Sequence, residues 1–201
     1  FDWLGVPIIQ FPSDLIILQE VLVKYKPDIV IETGIAHGGS LLFYSSILSL
    51  IKKKFNIIGI DIKIKTENKK KILANPLSKH IKLFESSSVN PNIFDKVKKI
   101  TKGKKTIVIL DSNHSHEHVL KEIEMYSGLI RKNGYLIVMD TAIEFVKKKH
   151  VNKGRDFGPG NSPFTAIKEF LKINSNFKVD KLYENKAIIT SAIGGFLKKI
   201  N

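Results

Sequence analysis

The sequence predicts a doubly wound, Rossmann-like α/β fold: a mostly parallel sheet, covered by helices on both faces and closed by a C-terminal antiparallel hairpin. Three observations predict it. Short, continuous apolar runs alternate with amphipathic helical stretches along the whole chain, as in sheets buried on both faces. Each of the five leading runs ends in, or runs on into, polar or acidic residues. The 201 residues, 43% hydrophobic and 26% charged, suit one domain with a full core. No repeat or linker divides the chain, so residues 1–201 read as a single domain.

The elements follow in order. Leu15, Leu18, Leu22 and Tyr25 recur at helical spacing behind Ser13 and Asp14, either of which suits an N-cap. Pro27 and Asp28 break that helix, and Ile29–Ile31 form the first strand. The glycine-bearing loop Gly34–Ser40 leads into a helix from about Ser40 to Lys53, then a second strand, Ile57–Ile60, ends at Asp61. A lysine-rich helix or loop precedes a strand near Ile81–Phe84 and a polar turn at Ser86–Ser88. A helix around Ile93–Ile100 leads to strand Thr106–Leu110, which ends at Asp111. Val119, Leu120, Ile123, Tyr126 and Ile130 predict an amphipathic helix stopping at Asn133 and Gly134. The fifth strand, Tyr135–Val138, ends at Met139 and Asp140. Residues 144–163 read as a long loop, Ser162 and Pro163 open a further helix, and Phe177–Leu182 with Ala187–Ile193 predict the hairpin.

Composition excludes several classes. With no cysteine there are no disulfides, thiol nucleophiles or thiolate metal sites, and a reducing cytosol is the simplest compartment. No basic-then-apolar leader opens the chain, and the apolar stretch Leu41–Ile51, broken by serines, is too short to span a bilayer. A net charge of +14 invites a nucleic-acid reading, but only Arg131 and Arg155 among the 33 basic residues are arginines. Phosphate and base recognition favours the arginine fork, so scattered lysines argue for a solvated surface.

In open α/β sheets, ligands lie beyond the carboxyl ends of the strands. The loop after the first strand reads Glu32-Thr33-Gly34-Ile35-Ala36-His37-Gly38-Gly39-Ser40. Its G-x-x-x-G-G spacing matches neither the G-x-G-x-x-G dinucleotide fingerprint nor a phosphate loop. Glu32 suits the ammonium of a methionine moiety, helix-start amides near Gly39 and Ser40 suit its carboxylate, and Asp61 suits the ribose hydroxyls. The plainer alternative is a strand-to-helix turn with Asp61 as a cap. The second cluster, Asp111-Ser112-Asn113-His114-Ser115-His116-Glu117-His118, joins a carboxylate to imidazoles that hold a metal, supply a base, or both. Asp140, on the neighbouring strand end, can approach Asp111. Two hard oxygen ligands without cysteine favour Mg²⁺. His116 and His118 fall on the following helix, which leaves His114 as the preferred base.

These residues resemble the cephalosporin hydroxylase family, whose members have the S-adenosylmethionine-dependent methyltransferase fold and include rhamnosyl-type O-methyltransferases. The resemblance spans nearly the whole chain. It runs through Trp3-x-Gly5-x-Pro7 with Gln10, Pro12 and Asp14, Pro27-Asp28, Ile31-Glu32-Thr33-Gly34 and His37-Gly38-Gly39-Ser40. It continues through Gly59-Ile60-Asp61-Ile62, Ser86-Ser87-Ser88, Leu110-Asp111-Ser112 with His114, His118 and Val119, Gly134-Tyr135, Asp140-Thr141, Gly158-Pro159 and Glu169-Phe170-Leu171. The resemblance implies S-adenosylmethionine at Gln10, Glu32, Gly34, His37, Gly39, Ser40, Asp61, Ser87 and Asp111, with Mg²⁺ at Asp111 and Asp140. One departure stands out. Family members often carry an acid just before the aspartate matching Asp140, and here that residue is Met139, a poor Mg²⁺ ligand.

The expected activity is methyl transfer to a hydroxyl of a sugar, glycan or small metabolite, with Asp111 and His114 as catalytic residues. Residues 1–26 are expected to cover the site, and 144–163, carrying Arg155, to cover the substrate. Expected partners are the acceptor and further copies of the chain, not nucleic acid. Met139 favours one rival, a non-catalytic S-adenosylmethionine-binding partner of a two-protein complex, and charge alone favours another, a nucleic-acid methyltransferase.

Overall fold

The computed structural model describes residues 1–147 and 154–201. A short antiparallel ribbon, β1 (Asp2–Trp3) and β2 (Val6–Pro7), precedes α1 (Pro12–Tyr25). Then follow β3 (Ile29–Thr33), α2 (Gly39–Ile51), β4 (Asn56–Asp61), α3 (Thr66–Ala74), β5 (Ile81–Glu85), α4 (Pro91–Thr101), β6 (Thr106–Leu110), α5 (His116–Ser127) and β7 (Tyr135–Val138). The chain ends with α6 (Pro163–Ile173), β8 (Phe177–Val179), α7 (Lys181–Glu184) and β9 (Phe196–Lys199).

Seven strands make one sheet in the order β5-β4-β3-β6-β7-β9-β8, and β9 alone runs against its neighbours. The expected doubly wound sheet with an antiparallel end is therefore present. Strand order reverses between β3 and β6, which opens the ligand crevice beyond Thr33 and Leu110. Alternate side chains feed two cores. Val30, Ile57, Ile109 and Ile137 pack with α1, α2 and α3 residues on one face; Ile31, Ile58, Val108 and Val138 pack with α4, α5 and α6 residues on the other. No helix of the described residues is long and apolar enough to cross a membrane.

Local chemistry explains the helix starts. Ser162 and Thr165 form a capping box and Pro163 takes the first turn of α6, while the Asn90 side chain caps α4 ahead of Pro91. Three expectations are corrected. Ser13 and Asp14 do not cap α1: the helix starts at Pro12 without a side-chain cap, and both residues turn toward a loop near the C-terminus. Helix α5 stops at Ser127, and the positive φ of 66° at Asn133 belongs to a separate turn into β7. The hairpin's second strand is Phe196–Lys199, not Ala187–Ile193. Ile188 is fully exposed, and the Ser191 amide bonds the Asp14 side chain instead of a strand.

Candidate active site

A cleft of about 460 Å³ opens at the switch point, within the range of small-ligand sites. Its floor is built by close backbone approach. Gly34 has φ +78°, and a Cβ there would stand 2.0 Å from the Asp111 carbonyl oxygen. A Cβ on Gly39 would stand 2.4 Å from the Pro7 carbonyl oxygen, so glycine lets the N-terminal ribbon close over the start of α2.

Of the nominated residues, Gln10, Gly34, His37, Gly39, Ser40, Asp111, His114 and Asp140 all line the cleft. Arg155 also lines it, within the 144–163 loop, of which residues 148–153 lie outside the described residues. Glu32, Asp61 and Ser87 are not among the lining residues. Asp61 anchors the glycine loop: its Oδ2 accepts from the Ile35 and Ala36 amides at 2.9 and 3.2 Å, ahead of α2, whose start has no side-chain cap. Ser87 sits in the turn after β5, where its carbonyl accepts from the Asn90 amide.

Glu32 is buried and bonded to Gln10 and Ser40 of the cleft lining. Its carboxylate accepts from Ser40 Oγ at 2.6 Å, Tyr44 OH at 2.8 Å and Gln10 Nε2 at 3.3 Å, and Gln10 Nε2 also reaches Asp111 Oδ2 at 3.4 Å. Burial outweighs those three donors and pushes its pKa up to about 7. Between pH 4.5 and 7 the folded chain therefore holds a proton that the unfolded chain has released. The resulting stability, of order 3 kcal/mol, is complete below the unfolded value and lost as pH rises through the folded one. Glu32→Gln should remove that slope, so thermal melts across pH should show the variant gaining on the wild type as pH rises. Parallel profiles would contradict the burial account.

Asp111, His114 and Asp140 each offer a donor atom within 4.8 Å of the others. His114 Nδ1 stands 3.2 Å from Asp140 Oδ2 but without hydrogen-bond geometry, and it is buried with no partner. Burial, then the charges of Asp140 and Glu32, pushes the Asp111 carboxyl well above the usual range. Burial likewise raises Asp140 and lowers His114, which favours a neutral imidazole. Half-buried carboxylates close together beside an unpartnered nitrogen fit a cation and a proton acceptor. Met139 does not disturb this cluster, because its side chain is 2% exposed and lies in the core with Ile137. The residue said to favour a non-catalytic partner does not face the site. His116 and His118 lie on α5 as expected, bonded to Thr165 and to Ser88 and Ser112.

Residues 1–200 match the family described as Rhamnosyl O-methyltransferase/CmcI. Rhamnosyl O-methyltransferases of Mycobacterium bovis and Mycobacterium leprae are 32% and 30% identical, over 97% of this chain and 76% and 81% of theirs. The chain belongs to this family. It is an S-adenosylmethionine-dependent methyltransferase, as the strand-end residues led us to expect. A CmcI structure aligns over 100% of this chain and 77% of its own length, at TM-score 0.70 and 17% identity. MycE, a methyltransferase from the mycinamycin biosynthetic pathway, aligns over 77% of this chain and 39% of its own, at TM-score 0.53 and 17% identity. These likenesses confirm the fold.

Four features of the candidate site lay outside the sequence expectations: the buried Tyr44 bonded to Glu32, the apolar lining of Ile8, Ile9 and Phe11, Ser191, and the contact of Asp14 with it. Asp14 alone carried a signal, as a carboxylate on the same helical stripe as Leu18, Val21 and Tyr25.

Proposed function

We propose that the chain methylates a hydroxyl of a sugar, on a glycan or a small metabolite, with S-adenosylmethionine as donor and Mg²⁺ held by Asp111 and Asp140. The observation that carries the reading is the Asp111–His114–Asp140 cluster and the glycine loop lining one cleft together. The relatives' name, rhamnosyl O-methyltransferase, supports a sugar acceptor. Structures of CmcI with Mg and S-adenosylmethionine, and of MycE with Mg, S-adenosylhomocysteine and mycinamycin VI, support the donor and the ion.

Gln10, Gly34, His37, Gly39 and Ser40 would bind the donor, with Asp61 holding the loop amides in place. Bound Mg²⁺ would lower the pKa of the acceptor hydroxyl. Asp111 and Asp140, the hard oxygen donors, would hold the ion, and His114, kept neutral by burial, would take the acceptor's proton. As the acceptor oxygen bonds the methyl carbon, the carbon–sulfur bond breaks and its electron pair stays on sulfur. The apolar wall of Ile8, Ile9 and Phe11 would limit water at the donor. Arg155 is the one lysine or arginine among the described lining residues, while lysines 98, 99, 102 and 104 line a separate surface cavity. That distribution supports a small or neutral acceptor over a polyanion.

Calorimetry of S-adenosylmethionine with and without Mg²⁺, followed by a transfer assay on rhamnosyl glycosides, tests the reading. Micromolar donor affinity and magnesium-dependent formation of S-adenosylhomocysteine are expected. No donor binding by folded protein would overturn the whole reading, and transfer indifferent to chelation would overturn the metal.

A further inference from the structure

Asp14 is a fully buried carboxylate on the apolar stripe of α1, and its Oδ1 has no hydrogen-bond partner. Burying a carboxylate is costly, so its bonds should show what it holds. Its Oδ2 accepts from the Ser191 amide at 2.9 Å and from Ser191 Oγ at 3.1 Å. The preceding residue acts alongside it, since Ser13 Oγ donates to the Ile189 carbonyl. Ser191 then passes the connection on. Its carbonyl accepts from the Ala142 amide at 3.0 Å and from Thr141 Oγ1 at 3.2 Å, and these are the two residues directly after Asp140. Thr141 Oγ1 also donates to the Ile193 carbonyl at 2.7 Å.

Asp140 needs such a restraint. It follows β7 with φ 55°, in the left-handed region that non-glycine residues enter at a cost. Such conformations persist where their surroundings over-determine them. Here the turn sends the Asp140 carboxylate into the cleft, while Met139 before it drops into the core. Ser191 lines the cleft with Asp140, so the clamp and the cluster share one wall.

We infer that Asp14 is a positioning residue for Asp140: through Ser191 it clamps residues 141–142 and so holds Asp140 in its left-handed turn, aimed at the cluster. The inference rests on the role proposed for Asp140 above. It assigns α1 a task beyond packing, because the N-terminal helix and the 187–193 loop together set one wall of the active site.

The test compares Asp14→Ala, which removes the acceptor, with Asp14→Asn, whose amide oxygen still accepts from Ser191. Three readouts apply: Mg²⁺ affinity by calorimetry, S-adenosylhomocysteine affinity as a control on the glycine-loop side, and hydrogen exchange of peptides covering 139–143 and 187–193. Asp14→Ala should weaken Mg²⁺ by about tenfold or more and speed exchange in both peptides, with the control within about threefold. Asp14→Asn should stay within about threefold of the wild type on every measure. Thr141→Val removes the two side-chain bonds of Thr141 but leaves the Ala142 amide on the Ser191 carbonyl, so it should show the alanine pattern in smaller measure, and it serves if Asp14→Ala fails to fold. Unchanged exchange of 139–143 in the folded alanine and valine variants would overturn the clamp, as would equal losses for alanine and asparagine at position 14. A wild type that binds no Mg²⁺ would sink the metal reading instead. Exchange at 139–143 would still decide the clamp.

Discussion

Asp111→Asn should reduce methyl transfer by about 10³-fold or more while leaving donor affinity within about threefold. Asp111 is where the elements of the site meet. It follows β6 at the switch point, its Oδ2 receives Gln10, and its backbone is the surface on which Gly34 rests. Asparagine keeps the size and an oxygen acceptor but removes the charge a cation needs. The same change should raise thermal stability, because it deletes a carboxylate whose charged form is disfavoured by desolvation and by the charges of Asp140 and Glu32. Opposite signs for activity and stability distinguish a functional charge from a structural one. Initial rates, donor calorimetry and a thermal melt on one preparation decide it. Turnover within tenfold of the wild type would remove Asp111 from the mechanism.

Gly34→Ala should cost several kcal/mol of stability and abolish detectable donor binding. Two costs coincide there. The φ of +78° is one that alanine adopts with strain, and the added methyl would meet the Asp111 carbonyl oxygen at 2.0 Å and the Ser112 Cα at 2.6 Å. Both obstacles are backbone of the neighbouring strand end, so relief requires β3 and β6 to part where the cleft begins. Gly5→Ala provides the control, since Gly5 has φ +81° but open space around its missing Cβ. That variant should lose about 1 kcal/mol, the backbone part alone. Denaturant melts and calorimetry compare the two. Equal losses would show that backbone conformation, and not contact with the Asp111 strand end, makes glycine necessary at position 34.

Much of the fold was legible because its signals are local. Apolar runs such as Thr106–Leu110 and Tyr135–Val138 matched their strands to the residue, and Ser162-Pro163 marked a real helix start. Ala187–Ile193 looked like a strand because an apolar run does not state whether anything will cover it. In the folded chain nothing covers Ile188, and the Ser191 amide is claimed by Asp14 from the far end of the sequence. The same limit applied to Met139. Period-two alternation from Ile137 would have sent it into the core, but where both sheet faces are buried that alternation leaves no trace in residue type.

The sequence by itself determined the strand-end positions of Gly34, Asp111 and Asp140 and the pairing of a glycine loop with a carboxylate and histidine cluster, because residue type and spacing within one strand–loop–helix unit set them. Tertiary structure alone decided the rest. Strand order brought Asp111, His114 and Asp140 within 4.8 Å, burial raised the Glu32 pKa to about 7, and Asp140 took a left-handed turn at the end of β7. Each of these depends on which distant backbone lies alongside, and on how much water that neighbour excludes.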